Sequence, residues 1–313
     1  MPDTDDQPLR LPTSAASSSQ ENFSVLSPLV PRDLIRHFKA VYDYCRLIDD
    51  LADDPTFAGE SAATTRLALL GLARAELHAA ATGTATNPIF VALGKTIQAK
   101  NLPLEPFDDL IRAFEQDQTV TRYETWDQVL DYCTRSANPV GRIVLLLDAA
   151  TPDAVAPETF RLSDLICTAL QLINFWQDVR RDLLERDRIY IPWREFETGD
   201  QTPLDATLRD WISRPDDPAA RLPYIRALRP IVERTRLMFE EGAAIHSRLN
   251  RRLGPVVWLF WKGGMETLNM VERTGCTTLW ERPRLSGTDK ASFVLQAIAM
   301  KWLVRWPKET PSP

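Results

Sequence analysis

Gln171, Asn174, Asp178 and Asp182 are spaced by three, four and four residues, which at 3.6 residues per turn puts all four on one face of a helix. Leu170, Leu172, Ile173, Phe175, Trp176 and Val179 fill most of the remaining surface, so the polar stripe sits on a helix that is otherwise buried. Two carboxylates one turn apart in apolar surroundings either protonate or need a cation, most simply a hard divalent metal. Upstream, Tyr42, Arg46, Asp49 and Asp53 repeat the pattern with spacings of four, three and four, beside Val41, Leu47, Ile48 and Leu51. Oxygen-only ligands suit Mg²⁺, with Mn²⁺ as the alternative; Mg²⁺ is commonly held by one or two carboxylates together with substrate phosphate. The implied substrate is a diphosphate. Either acidic pair taken alone reads more readily as solvated surface charge. Both pairs, however, lie on strongly apolar helices with an amide or an arginine on the same face, which surface charge does not explain. A carboxylate without compensation repels its neighbour, so replacing Asp49 or Asp178 by Ala is expected to abolish turnover and leave the fold intact or stabilised.

These elements must be positioned by a long chain of helices. Pro28 and Pro31 precede a helix expected over 32–54, stopped by Pro55. Further helical spacing runs over 61–82, 87–100, 104–119, 126–149, 163–185, 204–212, 217–251 and 254–274. Asn138, Pro139 and Gly141 should break the 126–149 segment midway. Residues 1–20, rich in Pro, Ser, Thr and Asp, form an expected disordered tail. No alternating apolar runs or Asn-Gly hairpin signals occur, so the fold class is all-α: a single helical domain over 21–290 with a central cavity. A last segment, 291–313, begins with mainly apolar residues carrying Lys301, Arg305, Trp302 and Trp306; it is too short to span a bilayer, and lying in the membrane interface or packing on the body are equally open.

The formal charge is -6 and no Lys/Arg run stands out, which argues against a nucleic-acid partner. Cys45, Cys133, Cys167 and Cys276 lack a CxxC and sit in apolar helical contexts, which reads as core thiols of a cytoplasmic protein. His37, His78 and His246 are isolated and read as structural or surface residues.

Three strings, ENFSV (21–25), QDQTVTRYETWDQVLDYCTRSANPVGR (116–142) and ALQLINFWQDV (169–179), resemble the squalene and phytoene synthase family. The likeness runs from about Glu21 to Ser286, and within the family it is nearest to the bacterial branch that turns presqualene diphosphate and water into hydroxysqualene. The resemblance implies an isoprenoid synthase bundle and a Mg²⁺-dependent ionisation that releases diphosphate without NADPH. It assigns Asp49, Asp53, Asn174, Asp178 and Asp182 to metal, and Tyr42, Arg46, Asn174 and Tyr132 to catalysis. Phe23, Arg46, Gly141, Gln171, Arg188 and Arg282 go to substrate, Arg282 through TLWERPRLS (278–286) and Arg188 through RIYIP. Met265 stands where related synthases often carry a diphosphate-contacting tyrosine. Further expectations are peripheral membrane contact through the 291–306 segment and hand-over of intermediates between the preceding and following enzymes of the squalene route. Two rivals stay open: a head-to-head condensing synthase making presqualene diphosphate, squalene or phytoene, and a non-catalytic helical module. The nicotinamide fingerprint Gly-x-Gly-x-x-Gly is absent, which agrees with a reaction ending on water.

Overall fold

The computed structural model describes residues 9–14, 29–53, 62–196 and 204–307. Among them there is no strand, only an isolated bridge between Arg122 and Ile189. The expected all-α class is what forms. Phe23 lies outside the described residues, as do most of residues 1–20. The chain divides into two compact units, Met1–Gln20 with Arg36–Thr119, and Glu21–Ile35 with Val120–Pro313.

The first unit is built from α1 (Ile35–Asp53), α2 (Ala62–Thr82), α3 (Pro88–Lys100) and α4 (Glu105–Gln116). Asn87 starts α3 by accepting from Ile89 N at 3.0 Å, with Pro88 in the first turn, where a missing N–H costs nothing. Asn101 ends it in the left-handed region. Gly94 lets α3 approach α2 so closely that a Cβ there would lie 2.5 Å from the Ala80 carbonyl. Tyr44 locks α1 in place: its ring meets Phe90 and Phe107 edge-on, and its hydroxyl donates to Phe107 O at 2.8 Å. Arg74 ties α2 to α4 through Asp108 and a bidentate pair with Glu115.

The second unit contains α5 (Trp126–Ser136), α6 (Asn138–Asp148), α7 (Pro157–Glu185), α8 (Leu204–Ile212), α9 (Pro218–Gly242), α10 (Gly254–Arg273) and α11 (Gly287–Leu303). Its centre is α7, against which α5, α6, α9 and α10 pack. It begins earlier than the expected 163 because Pro157 takes the first helical position. Trp176 on α7 is fully buried and donates Nε1–H to Thr235 Oγ1 of α9 at 2.9 Å. The expected break falls at Ala137, between α5 and α6, with Pro139 in the first turn of α6. Thr168 on α7 closes it, donating to Asn138 Oδ1 at 2.8 Å. Helix α9 stops at Gly242 rather than at 251. A Cβ at 242 would press on Ile166 of α7, and the chain turns there into a short 3-10 segment, Ala243–Ser247. The four cysteines are free thiols, with Cys133 and Cys276 buried.

One face of helix α11 packs on the body. Phe293 and Ala297 are buried, and the ring of Trp306 occupies the space where Gly254 has no side chain. Its outer face nevertheless leaves Leu295, Trp302 and Leu303 at 68%, 71% and 83% exposure. No helix of the described residues is long and apolar enough to cross a membrane.

Candidate active site

The polar face of α7 carries the most strongly perturbed group of the site. Gln171 is half-buried and Asn174 exposed, while Asp178 and Asp182 are 6% and 5% exposed. Arginines stand against both carboxylates. Arg282 grips Asp178 in bidentate fashion, Nε to Oδ1 and Nη2 to Oδ2 at 3.0 Å. Arg181 adds a pair to Asp178 Oδ2 at 2.7 Å. Asp182 has looser partners, Arg181 and Arg186, each at 3.5 Å. Burial pushes the Asp182 carboxyl up to about 6, Arg181 and Arg186 pull it down, and the neighbouring Asp178 charge raises it again. Burial therefore outweighs the arginines around Asp182, although three of them act on it.

After α7 the chain reverses at Asp187, which adopts a left-handed φ of 52°. Arg188 N–H then donates to Asp182 O at 3.0 Å, and Ile189 N–H to Thr121 O at 2.9 Å. This return buries Arg188 at 5% exposure and places it among the charges acting on Asp182. It also brings Tyr190 onto Phe175, with ring centroids 3.7 Å apart and planes within 6°. Tyr132, 3% exposed, lies against Tyr123, Phe175 and Tyr190 at 5.7, 6.0 and 5.7 Å. One turn beyond Tyr132 on α5, the hydroxyl of Ser136 is buried with no hydrogen-bond partner. Gly141 faces α7: a Cβ there would collide with Ser163 and Cys167, so its role in the structure is close helix packing. Met265 is half-buried on α10.

In the first unit, the α1 face holds Tyr42, Arg46, Asp49 and Asp53, each half-buried. Arg46 reaches Asp49 at 3.0 Å and Asp50 at 2.6 Å. Asp50, 4% exposed, is the buried acid of this helix and was not singled out by spacing. Its signal was the four-residue step from Arg46, which two acids in a row obscured. The partners of Asp178 were hidden differently, since Arg282 lies 104 residues away in sequence. His37, buried, shares a hydrogen bond with Thr96 Oγ1 at 3.1 Å, in keeping with a structural role.

The residues present fit a magnesium–diphosphate group by donor chemistry. Asp178 and Asp182 offer hard oxygen ligands, burial holds the Asp182 carboxyl above its usual range, which a bound cation would reverse, and arginines suited to phosphate surround them. Among the described residues no cluster of three or more acidic, His or Cys side chains stands ready as an all-protein cage, which is the arrangement Mg²⁺ least requires.

The squalene/phytoene synthase family model matches residues 16–289. The chain belongs to this family. A hydroxysqualene synthase of Sinorhizobium fredii is 32% identical over 240 residues, covering 76% of this chain and 74% of that protein. A phytoene synthase of Mycobacterium bovis is 28% identical over 295 residues, covering 94% and 91%. The crystal structure of the squalene synthase HpnC from Alicyclobacillus acidocaldarius superposes with a TM-score of 0.70 at 40% identity, covering 82% of this chain and 90% of that one. Family membership makes the protein an isoprenoid synthase, whose substrates are isoprenoid diphosphates.

Proposed function

We propose that the protein is a Mg²⁺-dependent hydroxysqualene synthase. Presqualene diphosphate loses diphosphate by heterolysis of its C–O bond, the bonding pair leaving with the diphosphate. The cation rearranges, and the oxygen of one water bonds to carbon as that water gives up a proton. Asp49, Asp53, Asp178 and Asp182, with Asn174, are the proposed metal ligands. Bound Mg²⁺ would supply charge neutralisation for the departing diphosphate. Arg46, Arg188 and Arg282 are assigned to the diphosphate, with Gln171 as a polar neighbour; for Arg282 this requires exchanging the Asp178 carboxylate for phosphate oxygens. Tyr42 completes the polar face of α1.

The observation that most favours water as the terminating nucleophile is the orphan hydroxyl of Ser136, one turn from Tyr132. A buried hydroxyl without a partner is costly unless something polar visits it, and a water molecule suits it. Buried rings of Tyr123, Phe175 and Tyr190 gather around Tyr132, and aromatic rings are the side chains that stabilise a nearby cation without reacting with it. The phytoene synthase relative keeps a second reading in play, head-to-head condensation of two prenyl diphosphates. Product analysis separates the two. Presqualene diphosphate should give hydroxysqualene with or without NADPH, whereas NADPH-dependent squalene, or presqualene diphosphate accumulating from farnesyl diphosphate, would assign the protein to a neighbouring branch. A non-catalytic module would release no diphosphate when Mg²⁺ is added.

We also propose cytoplasmic placement, with α11 resting peripherally on the membrane and intermediates handed between neighbouring enzymes of the route. Leu295, Trp302 and Leu303 would enter the lipid while Lys301 and Arg305 meet headgroups. Trp302→Glu with Leu303→Glu should cut co-sedimentation with anionic vesicles and spare activity on detergent-dispersed substrate; unchanged co-sedimentation would rule this contact out.

A further inference from the structure

We infer that Gln177 is a positioning residue: its side-chain amide holds the segment that carries Arg282, so that the guanidinium can leave Asp178 for the diphosphate while its backbone stays in place. The assignment of Arg282 to diphosphate rests on the function proposed above. Gln177 lies outside the stripe formed by Gln171, Asn174, Asp178 and Asp182; one residue before Asp178, it is turned about 100° around α7. Helix α10 ends at Arg273, and Gly275 and Cys276 follow with left-handed φ of 75° and 60°, Cys276 N–H donating to Val271 O at 2.9 Å. Pro283 disfavours a helical conformation at Arg282, and residues 281–286 leave the helical repeat.

Before Arg282 the segment is anchored in the core. The hydroxyl of Tyr224, fully buried on α9, shares a hydrogen bond with Thr278 Oγ1 at 2.8 Å, and Trp280 donates Nε1–H to Trp211 O at 2.9 Å. After Arg282 the tether is Gln177, whose amide donates to the Pro283 carbonyl. A carbonyl only accepts, which fixes the amide nitrogen as the contacting atom, and Pro283 has no N–H to offer instead. Consecutive residues of α7 therefore meet consecutive residues of the segment: Asp178 receives the Arg282 guanidinium, and Gln177 holds the carbonyl of the next residue. Arg282 keeps 34% of its side chain in solvent, and a long side chain on a loose backbone would spread its charge over many positions. With the backbone fixed on both sides, the guanidinium passes between the carboxylate and phosphate oxygens by side-chain rotation alone. A neutral amide suits this task, because it holds the carbonyl without competing with Asp178 for the guanidinium, as a carboxylate at 177 would.

The test combines Gln177→Leu and Gln177→Glu with Arg282→Gln in the full-length protein, with melting curves to verify folding. Gln177→Glu keeps the size of the side chain and removes the donor, so one variant suffices if the other fails to fold. Turnover of presqualene diphosphate under Mg²⁺ should fall about tenfold in both Gln177 variants, carried by kcat with KM within about threefold of wild type. In the Arg282→Gln background the same Gln177 change should cost less than about twofold further, because the group it positions is gone. An equal factor in both backgrounds would make Gln177 a structural residue only and overturn the inference. Independently of turnover, ¹⁵N-arginine spectra should show the Arg282 Nε–H, identified by its loss in Arg282→Gln, exchanging with solvent about tenfold faster in the Gln177 variants than in wild type. Equal exchange would also overturn it. If the exchange result holds while wild type does not convert presqualene diphosphate, the tether stands and the proposed reaction falls.

Discussion

The two aspartate helices handle the same charge problem under different exposure. On α1, Asp49 keeps 42% of its side chain in solvent, where water screens it, and Arg46 of the same helix lies 3.0 Å away. On α7, Asp178 and Asp182 are almost wholly buried, and the chain brings Arg282 from a distant segment in addition to Arg181 and Arg186 nearby. Burial, and not spacing, sets how much cation each pair demands. Asp50 makes the same point inside α1: the acid that Arg46 approaches most closely, at 2.6 Å, is the buried one.

The largest expected effect follows from Asp178→Asn, which should lower turnover about 100-fold or more, on the scale of lost electrostatic stabilisation in other active sites. It should also destabilise the protein by roughly 1–3 kcal/mol, less than the ~3–5 kcal/mol of a fully buried broken pair, because Arg181 and Arg282 stay about one-third exposed. This replaces the expectation from sequence that removing the carboxylate would leave the fold intact or stabilised, which assumed an uncompensated charge. Chemical denaturation read beside steady-state rates checks both parts. Next, Asp50→Asn should cost about 1–3 kcal/mol in the same denaturation assay, since it breaks a charge-assisted pair at a buried acid. A neutral outcome would mean that burial does not rank these acids.

A histidine whose ring nitrogens have no hydrogen-bond partner among the described residues extends the comparison. Both ring nitrogens of His246 are buried without hydrogen bonds, and burial lowers its pKa. Its folded pKa lies below the unfolded value, so the unfolded chain binds the extra proton. The stability it contributes is present above the ordinary histidine range and is lost as pH falls below it. Melting curves between about pH 7 and pH 5 should show a decline that His246→Phe makes shallower by up to ~1 kcal/mol. The smallest effect on stability belongs to Asp49→Asn, which should stay within about 0.5 kcal/mol of wild type while turnover falls as far as in Asp178→Asn. A large loss of stability there would erase the contrast between the helices.

Helix positions were legible because apolar periodicity and local stops coincide, as at Asn87–Pro88 and at the Asn138–Pro139 break. The polar stripes were legible for the same reason, since a helix repeats its faces. What sequence could not supply was contact between distant segments. The grip of Arg282 on Asp178 spans 104 residues, and the Tyr190–Phe175 stack depends on the reversal at Asp187. The overlong expectation for α9 failed because its end is set by the approach of Gly242 to α7 and not by a local breaker.

The most direct test of the proposed chemistry is turnover of presqualene diphosphate by the purified protein with Mg²⁺ in ¹⁸O-labelled water. The account predicts hydroxysqualene carrying the label in its alcohol and unlabelled oxygen at the broken C–O bond of the released diphosphate, unchanged by NADPH. An alcohol without label, or a hydrocarbon formed only with NADPH, would contradict it.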